Sequence, residues 1–178
     1  TTTGAVTFND VDDVAVGTVG ALNGLTTGLG NITLRATDMN ITQAINAGVG
    51  TVTLEGANAA TIGIGGAGGA LNLTNTELNL VTANTLHIGT AAAGAITVSG
   101  DTSLSTVSRL ELQTGGGVTG TAGGIVVGDL DIAAGGAVNF TDTSTDVNTL
   151  SVTAAGQTIN FFDLDDVSVA LTGASANI

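Results

Sequence analysis

The sequence predicts an all-β protein, a parallel β-solenoid wound from short stacked strands. Three observations predict it. Apolar–polar–apolar triplets recur along the whole chain, roughly every seven to ten residues. The segments between them are rich in Gly, Asn, Asp and Ala. The composition also lacks what most other β folds use, with no Pro, Trp or Tyr and only four Phe among 178 residues.

In order, the first triplets are Val6-Thr7-Phe8, Val14-Ala15-Val16, Ile32-Thr33-Leu34, Met39-Asn40-Ile41, Val52-Thr53-Leu54 and Ile62-Gly63-Ile64. Next come Leu71-Asn72-Leu73, Leu78-Asn79-Leu80, Leu86-His87-Ile88, Ile96-Thr97-Val98 and Leu110-Glu111-Leu112. Ile125-Val126-Val127, Leu130-Asp131-Ile132, Val138-Asn139-Phe140, Leu150-Ser151-Val152, Ile159-Asn160-Phe161 and Val167-Ser168-Val169 complete the series. Each reads as a strand of three to five residues whose alternate side chains share one face. Strands this short bury no core alone. Coiling the chain so that they stack in register buries the outer pair of each triplet and turns the middle residue to solvent. Two or three strands per turn give roughly 18–25 residues per coil. Eight or nine such coils at about 4.8 Å each make a rod about 40 Å long. Gly, Asn and Asp suit the corners, and Pro would delete a ladder donor from any stacked strand. A sandwich or antiparallel barrel, the alternative all-β reading, calls for longer strands, Pro in loops and buried aromatics.

The stretch from Gly63 to Ala70 contains Gly-x-Gly-x-x-Gly, the form of a dinucleotide-binding loop. That loop needs a helix at its exit and an acidic residue about 20 positions on. Here the exit, Ala70 to Leu80, alternates with period two, and Thr85-Leu86-His87-Ile88-Gly89 holds no carboxylate. The glycines are read as turns.

A formal net charge of −13, with Arg35, Arg109 and His87 as the only basic side chains, argues against nucleic acid and against anionic membrane surfaces. No apolar run approaches the ~20 residues of a membrane-spanning helix. Without Cys there is no disulfide or thiolate metal site, and without Lys no Schiff base. The chain starts at Thr1 without Met, as a mature product or a slice of something longer would.

A longer repeat overlies the short one. Val6 to Val16, containing Phe8-Asn9-Asp10-Val11-Asp12-Asp13, returns as Ile159 to Val169, containing Phe161-Phe162-Asp163-Leu164-Asp165-Asp166. The offset is 159 − 6 = 153 residues, and Gly20-Ala21 matches Gly173-Ala174 at the same offset. Residues 1–178 thus read as one solenoid segment, holding about one tandem repeat and the start of the next. Gly136 to Asp142 echoes Gly4 to Asp10. Neither end carries a polar or helical cap, so flanking coils or head-to-tail contact with identical neighbours is expected.

The phrases Gly30-Asn31-Ile32-Thr33-Leu34-Arg35-Ala36, Gly50-Thr51-Val52-Thr53-Leu54-Glu55-Gly56-Ala57 and Gly94-Ala95-Ile96-Thr97-Val98-Ser99-Gly100 resemble the β-strand repeats of filamentous-haemagglutinin-type bacterial surface exoproteins. The resemblance covers most of the chain through a short motif. It implies a right-handed parallel β-helix, export to the cell surface, and a role in adhesion, biofilm or fibre formation. The Asn-Pro-Asn motifs of that family's secretion domain have no counterpart in a chain without Pro.

Candidate chemical residues are few. Asp10, Asp12 and Asp13, with their repeat Asp163, Asp165 and Asp166, place alternate carboxylates on an extended segment. Such a set can converge on calcium, and otherwise forms a solvated acidic corner. Calcium is the one cofactor the sequence suggests. His87 is expected outside on the rod as a solvated strand residue, and a lone His builds no metal cluster. Asp129 and Asp131 are spaced like a hydrolytic carboxylate pair, but the chain lacks the aromatic platforms and cations of a polysaccharide site. No catalytic residue is assigned. The mixed outward series Thr7, Ala15, Thr33, Asn40, Thr53 does not make the regular Thr array of an ice-binding face. The expectation is a structural, non-catalytic segment of an extracellular bacterial fibre or adhesin whose partner is itself. A receptor- or surface-binding adhesin stalk is the alternative, and a polysaccharide-active β-helix enzyme a remote third.

Overall fold

The computed structural model of the chain describes residues 4–66 and 68–177, and for 171–177 the backbone alone. The chain coils through three faces in turn. The first coil runs through β1 (Val6–Asn9), β2 (Val14–Val16), a small excursion of β3 (Thr18–Val19) and β4 (Leu22–Asn23), and β5 (Leu25–Thr26). The second comprises β6 (Ile32–Ala36), β7 (Met39–Ile41) and β8 (Ile45–Asn46). Then come β9 (Thr51–Gly56), β10 (Ile62–Gly65), β11 (Leu71–Thr74) and the single-turn helix α1 (Asn75–Leu78). Beyond it lie β12 (Val81–Gly89), β13 (Ile96–Val98), β14 (Thr102–Ser103), β15 (Val107–Thr114) and β16 (Val118–Gly120). The last coils hold β17 (Ile125–Ala134), β18 (Val138–Phe140), β19 (Asp146–Phe161) and β20 (Ser168–Asn177).

The long face stacks β1, β6, β9, β12, β15, β17, β19 and β20 in that order, every neighbour parallel. Those eight rungs span about 34 Å at about 4.8 Å each. Going up this face, Val6 aligns with Ile32, Ile32 with Val52, Val52 with Leu86, Leu86 with Leu110, Leu110 with Leu130, Leu130 with Leu150 and Leu150 with Val169. The sequence periodicity thus becomes a spatial column, and Ile32, Val52, Leu86 and Leu110 are fully buried. The middle residues Thr33, Thr53, His87, Glu111, Asp131 and Ser151 form the neighbouring column on the outside, half-buried against each other.

The second face stacks β2 on β7, then β11, β10, β13, β16, β18, the end of β19 and the end of β20. A narrower third side pairs β5 with β8 and β8 with the start of β12, and higher up β14 with β17. Ile45, Val81, Ile125 and Val147 bury there. Four Thr are the buried polar residues among those described, so the interior is otherwise aliphatic with Met39, Phe140 and Phe161. Burial of this kind is the dominant favourable term in folding, at ~25 cal/mol per Å² of apolar surface.

One feature departs from simple coiling. β10 precedes β11 in the chain, yet β11 lies on the β7 side of β10. The chain rises one rung at β10, drops back through the glycine stretch, and lays β11 beneath before climbing to β12. The second face therefore holds an extra rung. The long-face offset widens there to 86 − 52 = 34 residues, against 52 − 32 = 20 just before it. Gly65 takes φ +79° at this reversal, and a Cβ on it would meet the carbonyl of Gly100. Gly63 is buried under the returning chain, where a Cβ would lie 2.8 Å from Asn72 Oδ1 and 2.9 Å from the amide of Gly69. The reading of these glycines as turns holds at Gly65, where the chain reverses, but not at Gly63, which is paired within β10; Ala67 lies outside the described residues. The reading of Gly63 as an outward, solvated centre is corrected.

One further expectation is corrected. Leu78-Asn79-Leu80 is not a strand. Thr74 caps α1 with its hydroxyl, Glu77 closes the capping box, and Asn79 is the C-cap. After Val16, β3 and β4 pair antiparallel. Thr1 and Ile178, at the two ends of the sequence, lie outside the described residues.

Candidate functional site

All three basic side chains of the protein stand on the long face, each aligned with an acidic residue on the next strand. β12 supplies His87, β15 supplies Arg109 and Glu111, and β17 supplies Asp129 and Asp131. Their alternation with the buried column points each of them outward. In register, His87 faces Glu111, Glu111 faces Asp131, Arg109 faces Asp129, and Asp129 faces Thr149.

Arg109 joins two rungs, β15 and β17. Its Nε lies 3.1 Å from Glu111 Oε1 and its Nη2 donates to Asp131 Oδ2 at 2.6 Å. The hydrogen bond to Asp131 holds the guanidinium above its ordinary pKa, and the charges of Asp131, Glu111 and Asp129 act in the same direction against partial burial. His87 Nδ1 sits 3.1 Å from Glu111 Oε2, and Nε2 sits 3.1 Å from the carbonyl of Gly89. Both ring nitrogens thus face acceptors, and neither is directed at a hydroxyl that it could activate. Thr149 donates its hydroxyl to Asp129 Oδ1 at 2.5 Å. Lower on the same face Arg35 aligns with Glu55.

This arrangement corrects the reading of His87 as a merely solvated strand residue. It is outside, as expected, but its side chain is 23% exposed and bonded on both nitrogens. Asp129 and Asp131 do share a face, but one is taken by Thr149 and the other by Arg109. Neither is left as a free acid facing a partner base.

The two acidic triplets stand apart. Asp10, Asp12 and Asp13 form the corner between the long and second faces of the first coil, where the amide of Asp10 donates to the carbonyl of Arg35 and Thr37 to that of Asp12. Asp163, Asp165 and Asp166 form the opposite corner in the last coil, between the second face and the return to the long face. Asp10 Oδ1 accepts from the amide of Asp12 at 3.2 Å, and Asp163 Oδ1 from that of Val147 at 3.0 Å. The first is a local turn-forming bond, and the second ties the corner to the neighbouring rung. Among the described residues no group of three or more His, Cys, Asp or Glu side chains is placed to hold a metal ion.

The two copies of the repeat also occupy different faces. Val6-Thr7-Phe8 lies on the long face over β6, whereas Ile159-Asn160-Phe161 lies on the second face over β18. Val14-Ala15-Val16 and Val169 exchange faces in the opposite sense. Two copies of one motif therefore pack in two settings.

Two polar constellations escaped the sequence. Asp101 Oδ1 accepts from Ser144 Oγ at 2.7 Å and from the amide of Gly124 at 3.1 Å, tying three coils together. The Ser144 bond, then the Gly124 bond, lower the Asp101 carboxyl below its ordinary pKa. At the extra rung β7 and β11 are not paired as strands. There Asp38 Oδ1 accepts from the amides of Met39 at 2.9 Å and Asn72 at 2.8 Å, and Glu77 Oε1 from that of Ile41 at 3.1 Å. Two carboxylates stand in for the missing ladder.

No helix among the described residues is long and apolar enough to cross a membrane. No family model matches this chain, and neither a curated protein nor a solved structure matches it.

Proposed function

We propose that this chain is a structural, non-catalytic segment of an extracellular bacterial fibre or adhesin, and that its work is to hold a stiff rod at a set length. One observation carries the reading. Of the polar side chains best suited to chemistry, His87, Arg109, Glu111 and Asp131 are paired with one another, Asp129 is bonded to Thr149, and three of these contacts cross from rung to rung. They add rung-to-rung cohesion on the outside to the aliphatic column inside. The extracellular bacterial setting rests on the strand-repeat resemblance, and the acidic balance suits a long object that must not stick to its neighbours. Incubation with a panel of polysaccharides tests the non-catalytic part: no sugar release is expected, and release abolished by Asp129→Asn or Asp131→Asn overturns it.

A stalk that binds a receptor or surface is the second reading. It draws on a shallow groove of about 260 Å³ near the top of the long face, bordered by Arg109, Asp129, Thr149 and Ser168. Saturable binding of the rod to a glycan or protein array, lost on Arg109→Ala, favours it over the purely mechanical role.

A further inference from the structure

The second face has one seam. Among the described residues, β7 and β11 are the only neighbours on it that are not paired as strands, and the long face has no such break. Val14 donates to the carbonyl of Asp38 and Thr42 to that of Val16, so residues 38, 40 and 42 turn their backbone groups to β2. The amides of Met39 and Ile41 therefore point the other way, towards β11. Leu71 donates to the carbonyl of Thr61, on the β10 side, which turns the amides of Asn72 and Thr74 towards β7. Behind this meeting of amides Met39, Ile41, Leu71, Leu73 and Leu78 are buried. Outside it lies a hollow of about 440 Å³, bordered by Asp38, Asn40, Thr42, Thr76 and Glu77.

The two carboxylates at the seam are not equivalent. Asp38 works through one oxygen, since Oδ1 accepts both from Met39 at 2.9 Å and from Asn72 at 2.8 Å. Glu77 uses both of its oxygens. Oε1 accepts from the amide of Ile41 on β7 at 3.1 Å, and Oε2 from the amide and the hydroxyl of Thr74 at 2.9 and 2.8 Å. A capping box needs only the reach back to the N-cap. Here the other oxygen crosses to a strand of another coil. Only an ionised carboxylate accepts on both oxygens without a donor of its own. A neutral acid or an amide sets a donor against the amide of Ile41 or of Thr74. Asp38 is spared that conflict, because the carbonyl of an Asn can stand where Oδ1 stands. Among the described residues neither carboxylate is in an ion pair.

We propose that Glu77 is a charge-dependent latch. Ionised, it closes the seam between β7 and β11. Neutralised, it lets the second face part there while the ladder of the long face holds the coils together. The bias comes from hydration. With the seam closed, a neutral Glu77 leaves a buried amide facing a donor, whereas a parted seam gives that amide water through the hollow. The same side chain closes α1, so the latch couples that helical turn to β7. Loss of the cap frees the amide of Ile41, and parting of the seam loosens α1. The latch is independent of the extracellular fibre reading.

Residue-resolved hydrogen exchange, read by NMR on the 178-residue chain, tests it. Glu77→Gln should lower the protection of the Ile41 and Thr74 amides by about tenfold or more, while Val52 and Leu86 on the long face keep theirs. Asp38→Asn should leave the amides of Met39, Ile41, Asn72 and Thr74 protected. Thr74→Ala keeps the Glu77 charge but removes the cap hydroxyl, and should speed exchange at Ile41; it carries the test if Glu77→Gln does not fold. Unchanged protection at Ile41 in either variant overturns the latch. Equal losses at Ile41, Val52 and Leu86 also overturn it, since Glu77 would then support the whole rod and not the seam. Opening by Asp38→Asn as large as by Glu77→Gln overturns the charge requirement.

Discussion

Phe161 lies directly on Phe140, ring centroids 5.4 Å apart and planes tilted by 40°. Phe140 in turn fills the space that Gly120 leaves on the rung below, where a Cβ would sit 2.5 Å from its ring. Three consecutive rungs of the second face are therefore fitted by size: glycine, phenylalanine, phenylalanine. Phe140→Ala should cost about 3–5 kcal/mol in denaturant unfolding, whereas Phe8→Ala, on a half-exposed ring, should cost far less. Gly120→Ala should destabilise through the ring clash, and Phe140→Leu in the same chain should recover part of that loss.

The extra rung depends on its glycines and its two carboxylates. Gly65→Ala should destabilise by more than the ~1–2 kcal/mol of a left-handed alanine, because the Gly100 carbonyl also occupies the site. Gly4→Ala, in open space, is the control. Glu77→Ala removes acceptors from the Ile41 and Thr74 amides and should cost about 1–3 kcal/mol in thermal or denaturant melts.

The Arg109 network should matter modestly and in a salt-dependent way. Its side chain is 41% exposed, and exposed pairs contribute ~0–1 kcal/mol each. Removing it leaves Glu111 opposite Asp131 with no cation between them. Arg109→Gln should therefore lower the melting temperature more at low ionic strength than at 1 M salt, where the Debye length is ~3 Å. Equal loss at both salts would count against an electrostatic role.

Asp101 gives the acid limb of stability its sign. Its carboxyl is lowered by Ser144 and Gly124, so the folded chain binds its proton less readily than the unfolded chain does. The stabilisation is complete above the ordinary carboxylate range near pH ~4 and fades as pH falls through the lower folded value. Asp101→Asn should lower stability at neutral pH and flatten this acid dependence, as read from melting curves between pH 2 and 6.

Much of the fold is legible because the interior repeats. Ile32, Val52, Leu86, Leu110 and Leu130 stack because each stands first in an apolar–polar–apolar triplet, and that pattern needs no partner to be seen. The reversal at β10–β11 is not legible in the same way, since alternation fixes which face a side chain takes but not which rung lies above. Thr74-x-x-Glu77 did carry a capping-box signature, masked by the alternation around it. The outer network is hidden for another reason. Arg109 meets Asp131 across 22 residues and Asp101 meets Ser144 across 43, distances set by coil length and not by local pattern.

The stacked rod itself is tested most directly by electron–electron distances between spin labels on the outer column of the long face. Labels at Thr33 and Asp131, Thr33 and Ser151, and Thr33 and Ala170 lie four, five and six rungs apart. The expected mean separations are about 19, 24 and 29 Å, rising by one strand spacing of about 4.8 Å per rung. Separations that fail to rise with rung number, or that fall as the chain folds back on itself, would contradict it.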